Sequence, residues 1–156
     1  MNPSDLVAAL QPVTDALERF GVRYFVGGSI ASSAHGIARA SIDVDLIAEL
    51  DATHVESLAA ALASSYYVPV EHMRIAVRER RSFNLIHFAT MFKIDVFVSK
   101  RRPFDCSAVE RATPQPIDDR EDGPQVVVAS AEDTILAKLE LNVSDLLDRA
   151  FAQAAE

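Results

Sequence analysis

The chain has 156 residues, 49% of them hydrophobic, and a net charge of −8, which bounds one compact domain able to bury roughly two thirds of its unfolded surface. Its single cysteine, Cys106, excludes an internal disulfide and a cysteine-paired zinc site, and favours a reducing cytoplasm. The N-terminus lacks a basic region ahead of its apolar residues, and no apolar run approaches the roughly 18 residues that span a bilayer. The expectation is a soluble, cytoplasmic protein with no membrane partner.

The charge is unevenly spread. Residues 1–70 carry 3 basic and 8 acidic groups, 71–111 carry 9 and 5, and 112–156 carry 3 and 10. The middle third alone is positive, with Arg74, Arg78, Arg80 and Arg81, then Lys100, Arg101 and Arg102. These residues suit either a rim facing a polyanion or a plain solvated face.

Taken in order, Leu6, Leu10, Val13, Leu17 and Phe20 follow the spacing of one helical stripe, predicting an amphipathic helix over 4–20 with Ser4 as N-cap and Gly21 as its stop. A buried strand near 22–27 ends at Gly27-Gly28, where a turn needs close backbone approach. A short helix then opens at Gly28 or Ser29 and ends near Gly36. The next strand, near 42–48, alternates: Asp43 and Asp45 share one face, and Ile42, Val44 and Leu46 the other. Asp51 or Thr53 starts a helix that buries Val55, Leu58, Ala59 and Leu62.

Residues 66–70 read as an extended edge or linker because of Pro69, and 71–80 as a basic helix, with strand left open by Ile75-Ala76-Val77. Two strands near 83–88 and 92–98 meet at a turn by Ala89-Thr90. In the second, Lys93, Asp95 and Phe97 share a face opposite Ile94, Val96 and Val98. A short helix over 103–112 leads into 113–124, whose three prolines and four acidic residues read as a surface loop. A last short strand covers 126–128. Ser130-Ala-Glu-Asp133 has the form of a capping box opening a helix with Ile135, Leu136 and Leu139 on one stripe, and 143–154 is a final amphipathic helix. The fold class is therefore α+β, a small mixed sheet of four or five strands flanked by helices.

Three features carry chemistry. Glycines ahead of a helix tip offer free backbone amides and a positive dipole end, which suit phosphate oxygens, and the Ser29 hydroxyl adds a donor. Two carboxylates about 4 Å apart repel by roughly 4 kcal/mol at an effective dielectric near 20, so a fold holding Asp43 beside Asp45 supplies a divalent cation or a proton. Hard oxygen ligands point to Mg²⁺. With Asp95 as a third acid, two Mg²⁺ ions fit, the clamp for in-line phosphoryl or nucleotidyl transfer. Taken alone, Asp95 also reads as a strand-end aspartate on a backbone amide, and Lys138 as an exposed lysine favoured by the helix dipole. His35, His54, His72 and His87 show no ligand spacing.

Gly27-Gly28-Ser29, the short helix with Gly36, and Arg39-Ala-Ser-Ile-Asp43-Val-Asp45-Leu46 together resemble the signature of the polymerase-β-like nucleotidyltransferase superfamily. Within it the chain is most similar to minimal bacterial nucleotidyltransferases, including toxin-type proteins of the abortive-infection class. The stretch from Ser130 to Leu139 resembles the family's helix that places a lysine near the nucleotide. The resemblance implies one nucleotidyltransferase-like domain over 1–156, with its core at 20–100 and a C-terminal helical part at 130–156. It further implies that Gly27, Gly28 and Ser29 hold the triphosphate of an NTP such as ATP, and that Asp43, Asp45 and Asp95 ligate Mg²⁺. Asp95 would help deprotonate the acceptor hydroxyl, and Lys138 and Arg39 would neutralise phosphate charge. After Lys138 the chain departs from the pattern: Leu139-Glu140-Leu141-Asn142 runs almost directly into the tail, where relatives continue through a longer helical segment. A shortened member is one explanation, a segment missing from the sequence the other.

The function implied is Mg²⁺-dependent transfer of a nucleoside monophosphate to a hydroxyl on an RNA end, tRNA included, on a protein or on a small molecule. Two alternatives stand beside it. One is a glycosyltransferase, whose Asp-x-Asp also holds a metal and a nucleotide, though such domains are usually longer. The other is a non-catalytic module of the same fold in a toxin-antitoxin pair, bound to a cognate partner protein.

Overall fold

In a computed structural model of the chain, residues 3–27, 43–118 and 120–155 are described, without the side chains of Pro3, Asp43 and Leu141. The described strands are β1 (Tyr24–Gly27), β2 (Asp43–Ala48), β3 (Tyr66–Tyr67), β4 (Ser82–His87), β5 (Lys93–Val98), β6 (Thr113–Pro116) and β7 (Gln125–Val128). They form one sheet in the order β3-β4-β5-β2-β1-β7-β6. The β2–β5 and β1–β7 pairs are parallel and the others antiparallel. The helices are α1 (Pro3–Arg19), α2 (Val55–Leu62), α3 (Val70–Glu79), α4 (Pro103–Arg111) and α5 (Ala131–Ala154).

Alternation decides which sheet face becomes core. Val44, Leu46 and Ala48 of β2 and Ile94, Val96 and Val98 of β5 are all buried on one face, where α1 supplies Leu6, Leu10, Val13 and Leu17 and α2 supplies Val55, Leu58 and Leu62. A buried Tyr66 hydroxyl donates to the Ala9 carbonyl, tying the β3 edge to α1. The opposite face of β1, β2 and β5 is only partly covered.

Several expectations hold. Gly21 stops α1 in the left-handed region at φ 70°, where glycine has no steric penalty. The four residues expected on the buried side of α2 are the four found there, Asp51 caps the 3-10 turn ahead of it, and of residues 71–80 all but the left-handed cap Arg80 are helical. Others are corrected. Among the described residues the sheet has seven strands, not four or five. Residues 113–116, expected as loop, form edge strand β6. An edge strand needs inward amides only at alternate residues; the prolines fall at 114 and 116, and the Ile117 amide still donates to the Pro124 carbonyl at 3.0 Å. Ser4 is not an N-cap, since α1 already begins at Pro3, a residue whose missing N–H costs nothing in a first turn. The two C-terminal helices are one continuous 24-residue helix, because neither Gly nor Pro interrupts residues 131–154.

Candidate active site

Register places the candidate residues. Gly27 on β1 opposes Asp45 on β2, and Asp45 opposes Asp95 on β5, so the three form one row across adjacent strands. Phe25, Ile47 and Phe97 form the next row on the same face. Neighbouring strands lie about 4.8 Å apart, so the Asp45 and Asp95 carboxylates leave the sheet side by side. Asp95 is mostly covered, its side chain 19% exposed, and Lys93 Nζ lies 3.6 Å from its Oδ1. Asp43 occupies the position two residues before Asp45 on β2, opposite Lys93; its side chain, with Gly28, Ser29, His35 and Arg39, lies outside the described residues. Among the described residues no three His, Cys, Asp or Glu side chains gather into a metal-holding cluster.

Over this face lies a cavity of about 480 Å³. Gly27 and Asp45 line it from the sheet, Lys138, Asp133 and Thr134 from α5, and Arg81, Lys100 and Arg102 from the loops beside β5. Phe25, Ile47, Phe97 and Phe104 give it an apolar wall. Asp95 stands next to Asp45 in the row but is not among the lining residues. A Cβ at Gly27 would come within 3.3 Å of Ile47 Cδ1, the flexible end of its side chain.

Two arginines fasten the first turns of α5 over the cavity. Arg111, at the end of α4, forks onto Asp133 with bonds of 2.9 and 2.7 Å. Its guanidinium, with help from the Ser130 hydroxyl, holds the Asp133 carboxyl below the usual carboxylate range although burial pushes the other way. The Ser130 oxygen accepts the Asp133 amide at 3.1 Å; the cap expected at Ser130 is present, while the acid expected to answer it is turned to Arg111. Arg102 reaches Glu140 at 2.7 Å and Asp105 at 2.8 Å, and its guanidinium lowers the Asp105 carboxyl. Lys138 sits between these clamps, set towards the cavity that Gly27 and Asp45 share. The clamps and the apolar wall were missed in the sequence because their members come from separate segments.

His87 and His54 serve structure. The His87 ring stacks 5.0 Å from Tyr66 and shares a 2.8 Å hydrogen bond with the Thr90 hydroxyl. His54 Nδ1 accepts the Asp51 amide at 3.1 Å.

A mixed sheet with a glycine-and-aspartate row under a lysine-bearing helix is the architecture of a nucleotidyltransferase. The chain belongs to the family described as nucleotidyl transferase AbiEii toxin, type IV toxin-antitoxin system, whose model matches residues 14–152. Among solved structures it is similar to a Thermotoga maritima protein assigned as a nucleotidyltransferase, at 15% identity and a TM-score of 0.67, covering 100% of this chain and 96% of that one. It is also similar to the lincosamide antibiotic adenylyltransferase LnuA with lincomycin bound, at 16% identity and a TM-score of 0.50, covering 87% and 85%. At these identities the likeness is one of fold. No curated protein matches the chain.

Proposed function

We propose that this chain is a toxin of a type IV toxin-antitoxin system that transfers a nucleoside monophosphate from an NTP, ATP included, to a hydroxyl acceptor. The observation that carries the reading is the row Gly27, Asp45, Asp95 opening beside a cavity that Lys138 also lines. Side-by-side carboxylates on a half-covered sheet face are a hard-oxygen donor set that fits Mg²⁺. Asp45 and Asp95, joined by Asp43, would hold the metal, two ions in all. When bound, it supplies charge neutralisation on the phosphates and polarises the attacking oxygen.

The chain's own residues do the rest. Gly27 leaves room for the triphosphate to approach the backbone that continues into Gly28 and Ser29, whose amides and hydroxyl take phosphate oxygens. Lys138 neutralises phosphate charge from the other side, and Arg39 is assigned the same role by its motif. Asp95 accepts the proton of the acceptor hydroxyl. Phe25, Phe97 and Phe104 provide an apolar wall on which a nucleobase packs with water excluded.

The acceptor side is basic. A second cavity of about 600 Å³ is lined by Arg74, Arg78, Arg80 and Arg101 together with the acids Asp51 and Glu56, and Arg80 borders both cavities. Arg74 is held by Glu56 and Glu71 and Arg101 faces the Asp51 carboxylate while donating to the Glu49 carbonyl, whereas Arg80 donates to the Lys100 carbonyl. A polyanionic acceptor such as a tRNA end suits this rim, and its affinity would fall steeply with salt. The whole of 1–156 acts as one domain, the core at 20–100 and the helical part at 130–156, in the cytoplasm where NTP is supplied. Among the described residues no helix is long and apolar enough to cross a membrane.

The test is incubation with each labelled NTP, Mg²⁺ and total cellular RNA or protein. Label should enter one pool and vanish in Asp45→Asn and Asp95→Asn, both still folded by circular dichroism. Full labelling by either variant overturns the proposal.

A further inference from the structure

The outer side of α5 is a second feature, independent of the cavity. Ile135, Leu136, Leu139, Val143, Leu146, Leu147 and Phe151 are between 49% and 70% exposed. At 100° per residue they span about 160° of the helix, across from Thr134 and Lys138, which line the cavity, with Phe151 at the edge where Glu140, Asp133 and Ser144 begin the cavity side. Seven large apolar side chains exposed to this extent leave roughly 600–800 Å² of apolar surface in water, above the largest patch of an ordinary monomer. That is about the area each partner gives to a standard-size interface.

The stripe is also self-complementary. Ile135, Leu139, Val143, Leu147 and Phe151 make a ridge at every fourth residue, the row that interdigitates when two helices pack ridge into groove. Reversing the helix about Val143 sets Ile135 against Phe151, Leu139 against Leu147, and Val143 against itself. An isologous two-fold contact requires this, the same patch serving both sides. Charge does not oppose it: Glu132 lies at the end of the stripe, and Glu140 on its flank is held by Arg102. Charge does oppose a lipid surface, since α5 carries five acidic and two basic residues in a chain of net charge −8, and anionic membranes attract basic helices.

We propose that this face is covered by a second copy of the chain, two α5 helices pairing antiparallel about a two-fold axis at Val143. Thr134 and Lys138 lie across each helix from the paired stripe, so the dimer is compatible with the nucleotide site and does not depend on it. Sedimentation velocity of the full chain from about 1 to 100 µM should show a species of twice 17.0 kDa. Val143→Asp places two carboxylates face to face on the axis and should weaken association at least ~100-fold, with circular dichroism unchanged and melting unchanged at concentrations where the wild-type chain is itself monomeric. In a Cys106→Ser background, Val143→Cys should oxidise to a cross-linked dimer whereas Ala154→Cys should not, a readout that stands even if Val143→Asp misfolds. A wild-type chain that stays monomeric throughout, a dimer indifferent to Val143→Asp, or a monomer that floats with anionic vesicles overturns the proposal.

Discussion

Adding one methyl group at position 27 pulls apart two demands that Gly27 meets at once, strand stability and backbone access. Gly27 is buried in β1 at φ outside the left-handed region, so alanine fits its backbone, and replacing a strand glycine is favourable by about 0.5–1 kcal/mol through chain entropy. Against this stands one contact: the new Cβ would lie 3.3 Å from Ile47 Cδ1. That atom ends a flexible side chain, and moving it a few tenths of an ångström costs only tenths of a kcal/mol. Gly27→Ala is therefore expected to leave stability between unchanged and about 1 kcal/mol higher, a melting shift of roughly 0 to +4 °C for a chain of this size. The same methyl stands at the cavity edge beside Asp45, where the proposed triphosphate site would need bare backbone. Calorimetric titration with NTP and Mg²⁺ should show affinity reduced at least tenfold, about 1.4 kcal/mol. Ile47→Val removes the Cδ1 contact, so the double variant should regain any packing loss without regaining affinity. Unchanged affinity in Gly27→Ala refutes the role given to Gly27, and a melting drop beyond about 5 °C refutes the packing argument.

Three further outcomes are expected. Leu46, fully buried at the middle of β2, should cost about 3–4 kcal/mol as Leu46→Ala, read as a lower urea midpoint at unchanged slope. Asp133 has a folded pKa below its unfolded value near 4, so its contribution to stability is present above about pH 4 and lost as pH falls through the folded value. Urea midpoints should be flat from about pH 5 to 7 and fall below 4, and the acid loss should be shallower in Asp133→Asn. A variant with an equally steep acid fall places the titration elsewhere. Arg80 sits at φ 53°, a left-handed position where glycine is unstrained, so Arg80→Gly should hold or raise the melting temperature while weakening polyanion binding. A lowered melting temperature would show that its bond to the Lys100 carbonyl outweighs the strain.

What could be read from the sequence follows the range of the signal. β2 and β5 were legible because Asp43-Val-Asp45-Leu46 and Lys93-Ile-Asp95-Val96 alternate with the pleat, which also sets both acids on the face away from the core. α1 and α2 were legible from their apolar spacing. β6 was not, because Pro114 and Pro116 read as loop until a neighbour, β7, shows that their missing amides are not needed. The length of α5 was misjudged at Asn142, where a polar residue inside a helix carries no stop signal of its own. The Arg111–Asp133 and Arg102–Glu140 clamps join residues 22 and 38 apart, and Phe25, Phe97 and Phe104 meet from three segments; no local pattern announces either. The side chain of Asp43, and Gly28, Ser29 and Arg39, lie outside the described residues, so their roles rest on the motif alone.

The in-register pairing of β2 with β5 makes the chemistry a proofreader of the fold. If β2 slipped by a single residue, Asp45 would turn into the hydrocarbon interior and Leu46 would stand in the cavity. Such a chain would lose packing and carboxylate pair in one stroke. No population of misaligned molecules can thus be stable yet inert, and any ligand that needs both acids on one face would also select the correctly aligned sheet.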